Sequence, residues 1–296
     1  MSEAERDLRS MWAFLDNVAF TQGYADAGGT RTRYVNAGPK DAPVVVMIHG
    51  MGGTWENFIG NFAEFSKHFN TYAYDLMGHG YTDKPNHVYD ANAYVSQLEG
   101  FIDAMNIEKV NLFGLSMGGW TSTLFTARHP EKVEKLLVMS AWGRPQPKPS
   151  EEQQAKLKEV LGQRLKSVEN PTFEGIDKVF ETLIADPKMR MQDLLAVRLR
   201  VYQQDNMVQT MQNVFMGIGP EHYNQNLVTD EILKSISRPT MLMACVDNPD
   251  LFLDMAYEYK ELIPDVEWVE ILGASHWPQW ETKEIVNEAA IKFFKS

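Results

Sequence analysis

The ten residues "NLFGLSMGGW" (111–120) limit the fold more than any other part of the chain. Gly114, Ser116 and Gly118 alternate between an apolar run that predicts a buried strand and the segment "WTSTLFTARHP", which predicts a helix. A strand that turns this sharply into a helix forces its central residue into a strained backbone conformation, and small neighbours relieve the crowding. The turn lifts the Ser116 hydroxyl above the sheet edge, over a helix N-terminus that favours negative charge. Ser116 is therefore the candidate nucleophile. The competing reading is an ordinary glycine-rich helix start.

The rest of the chain suits such a turn. "PVVVMIHG" (43–50), "NTYAYD" (70–75), "KVNLFG" (109–114), "KLLVMS" (135–140), "PTMLMAC" (239–245) and "VEWVEIL" (266–272) are continuous apolar runs, as strands covered on both faces require. Helical segments lie between them, which predicts an α/β fold: a mostly parallel central sheet with helices on both faces. From about 144 to 228 the rhythm breaks. After "WGRPQPKPS" only helical periodicity remains, which predicts a helical cap at 144–228 between two parts of one core, 1–143 and 229–296.

Composition narrows the function. With 40 acidic and 28 basic side chains, the net charge of −12 argues against nucleic acid as partner, because phosphate binding needs a basic footprint. The single cysteine, Cys245, excludes an intramolecular disulfide and a Cys-rich metal site. No metal or nucleotide motif is present, so no cofactor is expected and the partner is a small-molecule substrate. The acidic N-terminus lacks the basic start and apolar run of a signal peptide, and no run approaches the roughly 20 residues that span a bilayer. A cytoplasmic protein without a membrane partner is expected. Leu8, Met11, Trp12 and Leu15 recur at helical spacing, so a short amphipathic helix should pack on its own domain or on the partner subunit of a homo-oligomer.

Two further stretches complete a candidate site. "HGMGGTWENF" follows the strand at 43–48, where the backbone N–H groups of Met51 and Met117 would form an oxyanion hole. Each such donor contributes roughly 3 kcal/mol of transition-state stabilisation. In "GASHWPQWE", His276 follows the final strand, where this order of elements expects the general base that takes the Ser116 proton. His49, His68, His79, His87, His129 and His222 stand elsewhere, and His79 in "DLMGHGYTDKP" reads as structural.

With these motifs the chain, from about residue 25 onward, resembles the α/β-hydrolase superfamily. Within it the chain looks most like the meta-cleavage product hydrolases, which cut carbon–carbon bonds in dienoate ketones, and like related carboxylesterases. The resemblance implies that Trp277 lines the pocket, that Asn57 in "GTWENF" contacts substrate, and that Arg198 in "DLLAVRLRVY" binds a substrate carboxylate. Arg suits that task because its planar fork takes a carboxylate in bidentate fashion. Two departures stand out. Leu115 precedes the nucleophile where the family has Asn, and the oxyanion loop is shorter than usual. An apolar Leu115 suits an acyl substrate, so a small carboxylic ester is the favoured expectation and dienoate carbon–carbon hydrolysis the alternative. A non-catalytic ligand-binding protein on the same fold is a second alternative, and a cofactor-free lyase or oxygenase a third.

The acid of a Ser-His-acid triad is the least defined member. In "ACVDNPD" (244–250), the family's register puts Asn248 where the aspartate belongs, with Asp247 beside it. An offset of one residue would let Asp247 orient His276, which is the preferred expectation. Alternatively Asn248 accepts the imidazole N–H through its amide oxygen, or Asp250 or a more distant acid reaches the ring.

Overall fold

The computed structural model describes residues 10–145, 151–248 and 250–296. Its centre is one eight-stranded sheet: β1 (Phe20–Ala27), β2 (Thr30–Ala37), β3 (Val44–Ile48), β4 (Asn70–Tyr74), β5 (Val110–Leu115), β6 (Val133–Met139), β7 (Thr240–Cys245) and β8 (Val266–Ile271). The strand order is β1-β2-β4-β3-β5-β6-β7-β8. Strands β3 to β8 run parallel to one another, and β2, antiparallel to both β4 and β1, joins the β1–β2 edge to them. All six apolar runs are strands of this sheet. Buried throughout, β4 and β5 have helices on each side to cover them.

The β1–β2 hairpin has no counterpart among the sequence expectations. β1 is exposed over much of its length, as an edge permits, and β2 buries the polar Thr30, Thr32, Arg33 and Asn36, so no apolar run marks the hairpin. The N-terminal segment forms a short 3-10 helix, Met11–Leu15, that buries Met11 and Leu15; Leu8 lies outside the described residues. Its Met11 N–H donates to Asp193 Oδ2 at 2.8 Å, so this segment packs on its own chain.

Helices α1 (Ile59–Phe65), α2 (Ala91–Ala104) and α3 (Met117–Arg128) connect the first strands. Between β6 and β7 the chain is helical: α4 (Glu151–Glu169), α5 (Phe173–Glu181), α6 (Gln192–Tyr202), α7 (Met207–Gly217), α8 (Pro220–Tyr223) and α9 (Asp230–Ser235). This insertion leaves and returns at one place. Val228 N–H donates to Gly143 O at 2.8 Å, and Arg144 Nη1 donates to Val228 O at 2.7 Å. The fold closes with α10 (Leu251–Leu262), α11 (Pro278–Glu281) and α12 (Lys283–Lys295). The cap thus stands over the carboxyl ends of the parallel strands, where open α/β sheets place their ligands.

Candidate active site

Ser116 sits between β5 and α3 with φ 56° and ψ −115°, a left-handed conformation that costs energy for any residue with a Cβ. The surroundings enforce it. Ser116 N–H donates to Met139 O at 2.9 Å, and Ser116 O accepts from Trp120 and Trp142 N–H. A methyl on Gly118 would lie 2.0 Å from the Ile48 carbonyl oxygen, and one on Gly114 2.6 Å from the Gly118 carbonyl oxygen. The two glycines are therefore demanded by the close approach of β3, β5 and α3.

The loop after β3 faces this turn, since a methyl on Gly50 would lie 2.9 Å from Ser116 Cβ. Gly53 N–H and the His49 ring both bind Gly50 O, at 2.9 and 2.7 Å. His49 Nε2 accepts from Leu76 N–H at 3.0 Å, which leaves Nδ1 as the donor to Gly50. Burial holds this imidazole down to about pKa 3, so it is a neutral strut for the loop. His79 is likewise buried, bonded through Nδ1 to Met77 O and lowered to about 3, chiefly by desolvation.

Asn57 does not line the cavity. It is buried, and its Oδ1 accepts from Thr54 N–H at 3.0 Å as half of a capping box. Behind it, Arg33 bonds both Glu56 and Asp75, and Asp75 also accepts from Trp55 and Tyr81 N–H. This buried network, which the sequence did not announce, locks the loop from below.

Ser116, the Gly50–Met51 backbone, Met117, His276 and Trp277 line one cavity of about 470 Å³ under the cap. His276 packs on Phe252, with ring centroids 4.3 Å apart. Desolvation first, and the Arg164 guanidinium second, push its imidazole down to about 3. Its Nδ1 is sealed from solvent and has no hydrogen-bond partner.

The acid loop departs from expectation here. Asp247 is exposed, and its Oδ2 accepts from Gly273 N–H at 2.7 Å; no hydrogen bond joins it to His276. The turn after β7 runs beside the exit of β8, where Val246 N–H also donates to Ile271 O at 3.2 Å. Asp250 Oδ1 is engaged by Phe252 and Leu253 N–H as the cap of α10. Asn248 lines the cavity with His276.

Of the other candidates, Trp277 stands edge-on to Phe180 at 5.4 Å. Leu115 is fully buried in the core rather than on the cavity wall. Arg198 is buried against the oxyanion loop, since a methyl on Gly52 would lie 2.9 Å from its Nη1. Among the described residues its one hydrogen bond is a long 3.4 Å contact with Tyr202 Oη, and its Nη2 has no acceptor.

Two residues were not anticipated. Glu281 accepts from Ser275 N–H, Ser275 Oγ and Ala185 N–H, each at 2.7 Å, and so ties the histidine loop to the cap. Arg164 on α4 lines the cavity. Its signal was present, because Val160, Leu161, Arg164 and Val168 share one helical face and the Arg interrupts an apolar stripe. Among the described residues, no group of three His, Cys, Asp or Glu side chains is placed to hold a metal ion, and no helix is long and apolar enough to cross a membrane.

A family model described as "alpha/beta hydrolase fold" matches residues 43–283. The chain is 28% identical to a 2-hydroxy-6-oxo-6-(2'-aminophenyl)hexa-2,4-dienoic acid hydrolase of Metapseudomonas resinovorans, covering 93% of this chain and 91% of that one. It is 25% identical to a carboxylesterase of Bacillus subtilis (strain 168), covering 96% and 90%. The 2-hydroxy-6-oxo-6-phenylhexa-2,4-dienoate hydrolase of Rhodococcus sp. strain RHA1 superposes with a TM-score of 0.83 at 19% identity, covering 95% of this chain and 100% of that one; this likeness is one of fold.

Proposed function

The chain belongs to the α/β-hydrolase family and is a serine hydrolase, and from that premise we propose that it cleaves a carbon–carbon bond in a dienoate ketone. Several relatives named for dienoate hydrolysis support this substrate over the small ester favoured from sequence. One observation carries it: Arg198 is buried beside the oxyanion loop with an unpaired Nη2 and no carboxylate partner among the described residues. A buried guanidinium without an anion is costly, and the carboxylate of a dienoate would complete it.

In this reading the cap, taken as 144–228, encloses the substrate, and Trp277 forms a wall. The conjugated dienol first passes to its keto tautomer, which makes the carbon beside the ketone a competent leaving group. Ser116 Oγ then attacks the ketone carbonyl while its proton passes to His276. The N–H groups of Met51 and Met117 hold the oxyanion. Collapse breaks the carbon–carbon bond. Its electron pair enters the conjugated acid fragment, which takes the proton back from His276. Water, activated by His276, then hydrolyses the acyl-enzyme. His276 works without a charged partner at Nδ1, and Asn248, in the register of the acid, shares its cavity.

A second reading, ester hydrolysis, is favoured by the likeness to the Bacillus subtilis carboxylesterase over 96% of this chain. The decisive experiment gives a phenyl-substituted dienoate ketone and p-nitrophenyl butyrate to the wild-type protein and to Ser116→Ala. The expected result is a kcat/KM about tenfold or more in favour of the dienoate. The reverse preference selects ester hydrolysis, and equal turnover by Ser116→Ala removes both readings.

A further inference from the structure

Three arginines of low exposure in this protein each meet two carboxylates. Arg33 bonds Asp75 and Glu56, Arg144 bonds Asp230 and Glu258, and Arg190 faces Asp177 and Glu181. With 40 acidic side chains available, pairing is the rule for a guanidinium withdrawn from water. Arg198, Arg164 and Arg238 have no such pair among the described residues. Of these three, Arg164 lines the cavity of Ser116 and His276, with Arg198 buried against the neighbouring loop.

Arg164 lines the cavity together with Ser116 and His276, and it is the one Arg or Lys among the described residues that does so. Neither a hydrogen bond nor an ion pair to a carboxylate reaches it among the described residues. Asp250, the acidic residue on the same wall, spends its Oδ1 on the N-terminus of α10. Around Arg164 the wall is apolar, with Val160, Leu161, Leu183 and Phe252. Desolvation lowers the Arg164 pKa, against an opposing contribution from Tyr202. A cation held on an apolar wall without a carboxylate partner, in a chain of net charge −12, is a cost that a ligand of opposite charge would offset.

We propose that Arg164 forms a second carboxylate subsite under the cap, so that the substrate is a dianion with one acid group at Arg198 and another at Arg164. This rests on the reading of Arg198 given above and extends it to the far end of the substrate. Arg198 lies against the oxyanion loop beside Gly52, and Arg164 projects from α4 into the cavity that holds Ser116 and His276. A carboxylate suits both, because each guanidinium presents a planar fork.

The test separates this subsite from the catalytic reading. Ser116→Ala protein, which holds ester ligands uncleaved, is titrated calorimetrically with 4-carboxyphenyl hydrogen glutarate, which carries an acid on each side of its ester. The two singly methyl-capped forms and the doubly capped form serve for comparison. Each free carboxylate is expected to tighten binding by about tenfold or more. Adding Arg164→Met erases one of the two increments and Arg198→Met the other. Arg164→Lys keeps part of its increment, and Lys166→Met, which removes an exposed charge from the same helix, changes neither. Circular dichroism of each variant confirms that it is folded.

If Arg164→Met retains both increments, or if the doubly capped ester binds as tightly as the dianion, the subsite is refuted. Turnover of the same esters by the wild-type chain reads the hydrolase assignment separately. Equal turnover by Ser116→Ala would overturn that assignment and leave the binding result standing.

Discussion

The two halves of the catalytic centre are built to different standards. On the nucleophile side the backbone is pinned by hydrogen bonds from several elements, although Trp55 Nε1, His79 Nε2 and Arg198 Nη2 have no partner among the described residues. Ser116 is held by β6 and α3, the oxyanion loop is pinned by His49 and the Thr54–Asn57 cap, and Arg33, Glu56 and Asp75 brace it from beneath. On the histidine side, His276 rests on the Phe252 ring, its Nδ1 bonds nothing, and Asp247 and Asn248 are exposed. One half stores strain and over-determines it; the other leaves its imidazole oriented by packing alone. In the proposed mechanism the histidine is the less firmly held member, and improvement should come from that side.

Removing the best-held group has the largest effect. Ser116→Ala should lower kcat by at least ~10⁴-fold for any substrate turned over, with the thermal midpoint kept or raised, since backbone strain remains but no packed atom of consequence is lost. Next comes the brace. Arg33→Met leaves Glu56 and Asp75 facing each other without a cation in a buried site, and urea unfolding should register a loss of about 3–5 kcal/mol. A change below 1 kcal/mol would mean that the nucleophile side is less dependent on the brace than its hydrogen bonds indicate.

The histidine side should respond in the opposite direction. Asn248→Asp would offer His276 a charge to stabilise imidazolium, and kcat/KM should rise about tenfold. The pH profile gives an independent readout. In the wild-type chain, burial and Arg164 hold the imidazole near 3, so it stays an unprotonated base as pH falls through 6.5. The acid limb of kcat/KM should then begin well below pH 5. A facing carboxylate raises the imidazole pKa, so Asn248→Asp should move that limb upward. An unmoved profile would place Asn248 out of reach of the ring.

Smaller effects should follow from the latch and the displaced acid. Glu281→Gln keeps one acceptor oxygen but weakens three contacts that tie the histidine loop to the cap, and kcat should fall by about three- to tenfold with little change in KM. Asp247→Asn should change kcat/KM by less than about twofold, because its carboxylate serves Gly273 N–H and an amide oxygen can replace it there. A loss of a hundredfold would restore Asp247 as the acid and require the loop to rearrange on substrate binding.

The parallel strands, the helical insertion and the placement of Ser116 and His276 could be read in advance because each has a local signature. Apolar runs mark strands buried on both faces, and glycines two apart mark a turn too tight for side chains. The β1–β2 hairpin escaped because an edge tolerates polar residues. The capping bond of Asn57 was not legible, because a loop residue placed to touch substrate and one placed to cap the next helical turn look alike in sequence. Arg164 did leave a trace, a cation in an apolar helical stripe, but only the cap's position over Ser116 makes it a site residue.

What the sequence determined by itself is therefore the parallel part of the sheet, the insertion and the strained turn at Ser116, since these follow from periodicity and from steric limits between near neighbours. Only the tertiary structure decided which charges meet. Arg33 finds Glu56 and Asp75 across 23 and 42 residues, Asp247 turns to Gly273 across 26, and Arg164 and Arg198 find no carboxylate among the described residues. Electrostatic pairing depends on distances of a few ångströms between segments that only the folded chain brings together, and no local pattern of residues encodes them.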